Sequence, residues 1–232
     1  MSAVVELAHL IKDYRGLRPL RIDQFALGDA EQTAIVGLDR PAAETLLNLI
    51  TGAALPDSGD VRVFGRRTAE ISDSADWLAV VDRFGIVTER AVLLDSLTAV
   101  QNLALPFSLD IEPPSDDLRS KAVGLAREVG LDEADWDRAV GSLDGLNRAR
   151  LRLGRALALG PSVLLLEHAT AGVERPSVAA FAAAVRRAAT KRRIAALVLG
   201  ADPEFAGAAA DRVLTLDPAT GRLAARRRRW FR

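Results

Sequence analysis

The sequence predicts an α/β fold in which an all-helical stretch, at about residues 93–159, interrupts a β/α sheet. The first third reads as short strands, the middle shows helical spacing, and β/α alternation returns after Pro161. The length of 232 residues suits one large domain, because domains usually have roughly 100–200 residues.

The first third is predicted to contain one helix among its strands. The helix is expected from Pro41 to about Ile50, with Asp39 as N-cap and Gly52 as the stop. The predicted strands are residues 4–11, 20–27, 33–37, 59–65 and 84–87.

The rest of the chain changes from helices to alternating elements. Helical spacing covers residues 116–131, 132–140, 146–160 and 177–193. Strands are predicted at 162–168, 194–200, 211–217 and 221–226.

The composition excludes several classes of protein. Thirty-one basic and 31 acidic residues cancel, so no nucleic-acid partner is expected. The chain has no cysteine, and the sequence shows neither a signal peptide nor the ~20 apolar residues of a spanning helix. A cytoplasmic protein is therefore expected, with the basic residues 226–232 as a solvated tail.

Four collinear segments resemble a known family. Residues 33–45 fit a phosphate-loop position, 84–107 contain "LTAVQNLALPF", 142–174 contain "SLDGLNRARLRLGRALALG" and "VLLLEHATAGVE", and 199–223 contain "DRVLTLD". In this order they resemble the ATP-binding subunit of ABC transporters, especially the exporter and lipoprotein-release type, over about residues 3–225.

The resemblance implies a P-loop NTPase-like ABC ATPase fold. Its mixed sheet would have flanking helices, an N-terminal antiparallel β subdomain and an inserted helical subdomain at about 93–159. Residues 1–225 would form one nucleotide-binding domain, followed by the tail 226–232.

The phosphate loop has lost its usual chemistry. Such a loop uses backbone N–H groups, a lysine and a hydroxyl that binds Mg²⁺. Gly37 remains, but Ala42 replaces the second glycine and Ala43 the lysine, while Glu44 takes the hydroxyl position before Thr45.

The charges of this loop also oppose nucleotide binding. Asp39 and Glu44 would repel a triphosphate, since unit charges ~4 Å apart interact by about 4 kcal/mol at an effective dielectric of 20. Glu44 is expected in the first helical turn, where it would satisfy the helix dipole, and Arg40 is expected to be paired or solvated. No cofactor is therefore expected, beyond weak binding of ATP and Mg²⁺.

The resemblance carries over the remaining family positions with altered residues. Glu167 and His168 match the Mg²⁺-binding aspartate and the catalytic glutamate, Glu89 the Mg²⁺-sensing glutamine and Ala201 the switch histidine. We expect no catalytic residue among them and no metal site. Tyr14 matches the aromatic residue that stacks on adenine.

The signature loop, which in the family reaches a partner's ATP, is changed as well. The loop begins with Asp144 and Gly145. Leu146 then replaces a glycine of the family pattern, and Asn147 replaces a glutamine. A carboxylate and a bulky side chain there would oppose a partner's γ-phosphate.

The segment after residue 88 keeps more of the family pattern. The resemblance makes Glu89, Leu93, Leu94 and Leu97 the expected contacts with a membrane permease. The first hypothesis is thus a non-catalytic docking subunit, peripheral on the inner face of the membrane and paired with an identical or a different ATP-binding chain.

Two alternatives remain. A divergent ATPase would need Arg40 to replace the lysine, Glu167 to hold Mg²⁺ and His168 to act as base. A soluble regulatory scaffold without a transporter would use the same fold for another purpose.

Overall fold

The computed structural model describes residues 3–225, so the basic tail at 226–232 lies outside the described residues. Within that range the strands are β1 (Ala3–Lys12), β2 (Leu20–Gly28), β3 (Gln32–Val36), β4 (Ser58–Val63), β5 (Arg66–Arg67), β6 (Phe84–Thr88), β7 (Val163–Glu167), β8 (Ala195–Gly200), β9 (Arg212–Leu216) and β10 (Leu223–Ala225). The α-helices are α1 (Arg40–Ile50), α2 (Ser74–Val81), α3 (Ala99–Ala104), α4 (Asp116–Val129), α5 (Gly145–Leu157), α6 (Val178–Arg192) and α7 (Pro203–Ala209).

The strands form two sheets. An antiparallel sheet has the order β2-β1-β4-β5, and a six-stranded mixed sheet has the order β10-β9-β3-β8-β7-β6. In the second sheet only β10 runs antiparallel to its neighbour. Every residue of β3, β7 and β8 is buried, as expected for parallel strands covered on both faces.

Two apolar clusters form the core on the two faces of the mixed sheet. One cluster contains α1 and joins the antiparallel sheet to the mixed sheet. The other contains α3 to α7 and packs against strands β3, β6, β7 and β8. Helices α3, α4 and α5 all lie between β6 and β7 in the chain.

The predicted helix at 132–140 is wrong. This segment contains a 3-10 turn at 133–135, and a second turn begins at Val140. Trp136 lies between them, is buried, and donates its indole N–H to the carbonyl oxygen of Leu131 at 3.1 Å. The carbonyl oxygens of Trp136 and Arg138 accept from the N–H groups of Val100 and Ala99, and these tertiary contacts replace continuation of a helix.

Helices α2, α3 and α7 were not predicted from the sequence. They have only six to eight residues, too few for a periodic pattern. Side-chain caps define them instead, such as Thr98 and Gln101, which form a capping box at the start of α3. Within residues 3–225 no helix combines the length and apolar character needed to cross a membrane.

Candidate functional site

The parallel strands end together at one edge of the mixed sheet, where ligands bind in open α/β folds. Thr88 at the end of β6 is in register with Glu167 at the end of β7, and Val36 is in register with Gly200. The fold therefore brings together most of the positions that the sequence singled out in separate segments.

Five charged side chains meet there, and we call them the carboxylate–arginine cluster. They are Arg40, Glu44, Glu89, Arg90 and Glu167. Arg40 Nη1 lies 2.5 Å from Glu89 Oε1. Arg90 pairs with Glu44 through Nη1 and with Glu167 through Nη2, the second at 2.8 Å. Of the two expected outcomes for Arg40, paired or solvated, the structure shows a pair, with Glu89.

Glu167 is the buried member of the cluster. It accepts hydrogen bonds from Arg90 and, at 2.7 Å, from the hydroxyl of Thr88. Burial of a carboxylate requires such partners, because an isolated buried charge is strongly unfavourable. Burial alone would lower the pKa of Arg90, but the hydrogen bonds and negative charges of Glu167 and Glu44 raise it above its ordinary value.

Arg90 was not among the residues singled out from the sequence. The available signal was a basic residue directly after Glu89, at the end of a strand whose neighbour, β7, ends in Glu167. Among residues 3–225, no group of three or more His, Cys, Asp or Glu side chains is arranged to hold a metal ion.

The start of α1 is capped by Asp39 and not by Glu44. Asp39 is the N-cap as predicted, and its carboxylate accepts from the N–H of Ala42 at 2.8 Å. Glu44 is the fifth residue of the helix, and the first turn contains no acidic residue. The expectation that Glu44 satisfies the helix dipole is therefore wrong, because Asp39 caps the helix and Glu44 pairs with Arg90.

The other residues at the phosphate-loop position also have structural contacts. Ala43 is fully buried, and its N–H donates to the carbonyl oxygen of Asp39 at 2.9 Å. The hydroxyl of Thr45 donates to the carbonyl oxygen of Pro41 within the same helix. Gly37 has a φ of +92°, which explains why glycine persists there.

His168 and Ala201 lie next to each other beyond β7 and β8. Both line a small cavity of about 20 Å³. His168 Nε2 is buried and has no hydrogen-bond partner among residues 3–225, and the backbone φ of His168 is +41°. The methyl side chain of Ala201 can form no hydrogen bond with His168 Nε2.

Tyr14 shares a second cavity with the phosphate-loop position. This cavity of about 170 Å³ is also lined by Gly37, Asp39 and Ala42. Burial and, to a smaller extent, the negative charge of Asp39 raise the pKa of the Tyr14 hydroxyl.

The four signature-loop residues build the start of α5. Asp144 is the N-cap and accepts from the N–H of Asn147 at 2.7 Å. The Asn147 amide donates in turn to Asp135. A Cβ on Gly145 would lie 1.8 Å from a carbonyl oxygen of Gly172, and Leu146 packs against the core.

A groove of about 460 Å³ lies between β6, the segment after α3 and helix α5, and we call it the β6–α5 groove. Leu109 and Leu159, exposed by 87% and 65%, line it. Arg152 and Arg155 line it as well, and burial lowers the pKa of both; the charge of Arg148 lowers that of Arg152 further.

The four residues predicted to contact a permease do not line this groove, and they differ in exposure. Leu93 is buried in the core and offers no side-chain surface to a partner, whereas Leu97 is partly buried against the core. Leu94 is exposed, and Glu89 is engaged by Arg40. The expected permease contact through Leu93 is therefore wrong, because its side chain is buried.

Comparison with known proteins gives consistent matches. The family model described as "ABC transporter" matches residues 22–171. The lipoprotein-releasing system ATP-binding protein LolD of Chromohalobacter salexigens is 30% identical over 81% of this chain and 78% of that protein.

Solved structures match at the level of fold. CbiO1 of Clostridium perfringens, part of the ABC transporter complex cbiONQ, has a TM-score of 0.80 and 19% identity, over 97% of this chain and 88% of that one. The dimeric ATP-binding cassette MJ0796 bound to ADP and Pi has a TM-score of 0.76 and 21% identity, over 96% and 99%.

Proposed function

This chain belongs to the ABC transporter family of ATP-binding proteins, and we propose that it serves a transporter as a non-catalytic docking subunit. It would bind a membrane permease and pair with a second ATP-binding chain. The dimeric state of the similar cassette MJ0796 supports the pairing. Its place would be the inner face of the membrane, held there by the permease.

The carboxylate–arginine cluster is the observation that carries this proposal. Arg40 at the start of α1 and Arg90 after β6 already bind carboxylates of the chain itself. Asp39 takes the N–H of Ala42, one of the first-turn donors that a phosphate loop presents to its ligand. Pro41 removes another of these donors because it has no N–H.

These residues do not fit Mg-ATP. A divergent ATPase would have to release Arg40 from Glu89 to reach a phosphate, and Glu167 from Arg90 to reach Mg²⁺. Among residues 3–225, Glu89 forms one ion pair, with Arg40, and Glu167 forms one, with Arg90, so both pairs would be lost. The nucleotide would therefore have to supply the energy for breaking both pairs.

The β6–α5 groove supports docking. It exposes leucine side chains beside Arg152 and Arg155, whose charges are partly desolvated. A carboxylate on an apolar segment of the partner would restore a counter-charge to these arginines. We therefore expect the docking segment of the permease to be apolar and to contain an acidic residue.

The loss of nucleotide binding is tested by calorimetry of the purified full chain with Mg-ATP. We expect no heat of binding at millimolar nucleotide, while an ATP-competent subunit measured in parallel binds. The combined variant Ala43→Lys and Glu44→Ser restores a lysine and a hydroxyl at the altered positions and serves as the rescue control. Micromolar binding by the natural chain would contradict the proposal.

Docking is tested by co-purification with the permease expressed alongside this chain. Leu109→Asp combined with Leu159→Asp places charges in the groove and should abolish co-purification. Leu17→Asp is the matched control, because Leu17 is fully exposed but does not line the groove. Equal losses in both variants, or no association with any permease by the natural chain, would contradict a groove-specific contact.

A further inference from the structure

The segment 88–94 connects the carboxylate–arginine cluster to the β6–α5 groove. On its inner side, Arg90 binds Glu44 on α1 and Glu167 at the end of β7. The segment is thereby attached to two elements that come before and after it in the chain. Both elements belong to the packed core of the molecule.

On its outer side, the same segment is held by α5. Arg152 Nε donates to the carbonyl oxygen of Ala91 at 3.2 Å, and Arg155 Nη1 donates to that of Val92 at 2.5 Å. These contacts fix the backbone that forms one wall of the groove, because Ala91 itself lines it. The wall is therefore tied to the cluster through adjacent residues.

We infer that Arg90 is a positioning residue whose guanidinium holds segment 88–94, and with it the wall of the β6–α5 groove, in one position whether or not nucleotide or divalent metal is present. The inference rests on the proposed docking function, since it makes the groove a permanent docking surface.

The chemistry of arginine explains why this contact does not depend on a bound ligand. A guanidinium keeps its charge at every accessible pH and presents several N–H donors in a fixed plane, so it can bind two carboxylates at once. A bound metal or nucleotide acts only in proportion to its concentration relative to its dissociation constant. Arg90 is part of the chain and cannot dissociate.

Hydrogen exchange of the full chain, read by mass spectrometry with and without millimolar Mg-ATP, tests this inference. We expect the exchange of segment 88–94 to be the same in both conditions. Slower exchange of this segment with Mg-ATP would overturn the inference. Slower exchange of residues 37–45 alone would contradict the proposed loss of nucleotide binding and leave the role of Arg90 standing, so the two failures are distinguishable.

Variants of Arg90 provide the second arm. Arg90→Ala should speed exchange in segment 88–94 by about tenfold or more, because a local opening of the segment no longer breaks the ion pairs. Arg119→Ala, which removes an exposed ion pair with Asp137, should leave the segment unchanged. If Arg90→Ala does not fold, Arg90→Lys keeps the charge without the planar guanidinium and should speed the exchange of segment 88–94 several-fold. Exchange equal to that of the natural chain in either Arg90 variant would overturn the inference.

Discussion

Removal of the Arg90 side chain should destabilise the fold far more than its position at the surface suggests. The Arg90 side chain is 44% exposed, whereas that of Glu167 is 6% exposed. Deleting one partner of a buried ion pair costs about 3–5 kcal/mol, because the other charge stays buried without compensation. Water can reach the vacated place of Arg90, so we expect about 2–3 kcal/mol for Arg90→Ala. For a chain of this length, the melting temperature should fall by about 5–10 °C.

The ion pair of Arg119 with Asp137 provides a matched control. Arg119 is 43% exposed, close to Arg90, but its partner Asp137 is 66% exposed. Two hydrogen bonds of 2.9 Å join the pair, so its geometry is favourable. Because both charges stay in water when the pair breaks, Arg119→Ala should cost less than about 1 kcal/mol.

A double-mutant cycle isolates the buried charge as the cause. Glu167→Gln removes the charge of Glu167 but keeps an oxygen that can accept from Thr88. If the buried charge is responsible, Arg90→Ala should cost about 2 kcal/mol less when it is combined with Glu167→Gln, as measured by urea unfolding followed by tryptophan fluorescence. Additive effects, or equal costs for Arg90→Ala and Arg119→Ala, would refute this reasoning.

Three further predictions concern other parts of the fold. Hydrogen bonds from Arg192 hold the pKa of Glu128 below its ordinary value of 4.5 despite its burial, so ionised Glu128 stabilises the fold above that pH. The stability lost in Glu128→Gln should therefore shrink as the pH falls below 4.5. Thermal melts from neutral to acidic pH measure this loss, and a loss that is constant with pH would contradict the prediction. Gly145→Ala should destabilise by at least about 3 kcal/mol, because its Cβ would lie 1.8 Å from a backbone carbonyl oxygen, whereas Gly124→Ala, with open space in α4, should stabilise by up to about 1 kcal/mol in urea unfolding. Asp39→Ala should cost about 1 kcal/mol through loss of the α1 cap, whereas Asp39→Asn should keep most of the stability that the cap provides. Equal costs of the two substitutions in the same unfolding assay would argue against a capping role.

Much of the fold could be predicted from local patterns. Strands β3, β7 and β8 are short apolar runs bounded by turn residues, and α1 starts after a capping aspartate. Such features depend on neighbouring residues within one element, so they can be predicted from the sequence. Short helices such as α3, with six residues, are not, because caps and tertiary packing define them more than periodicity does.

The candidate site shows where sequence reasoning stops. The resemblance to ABC transporter ATP-binding subunits located Glu44, Glu89 and Glu167, and the charges of Asp39 and Glu44 predicted repulsion of a nucleotide. The sequence did not reveal that each carboxylate has an arginine partner within the chain. Arg90 lies 46 and 77 residues from its two partners, a distance at which no local pattern reports contact.

The sequence by itself determined every described strand except the two-residue β5, the longer helices, the family and the residue types at the strand ends. Only the tertiary structure decided how those charges are paired. The register that places Thr88 beside Glu167 also brings Arg90 to a buried carboxylate, while α1 carries Glu44 to the other side of the same guanidinium. The physical reason is that pairing energy depends on distance and burial, and both are set by the packing of elements that are remote in sequence.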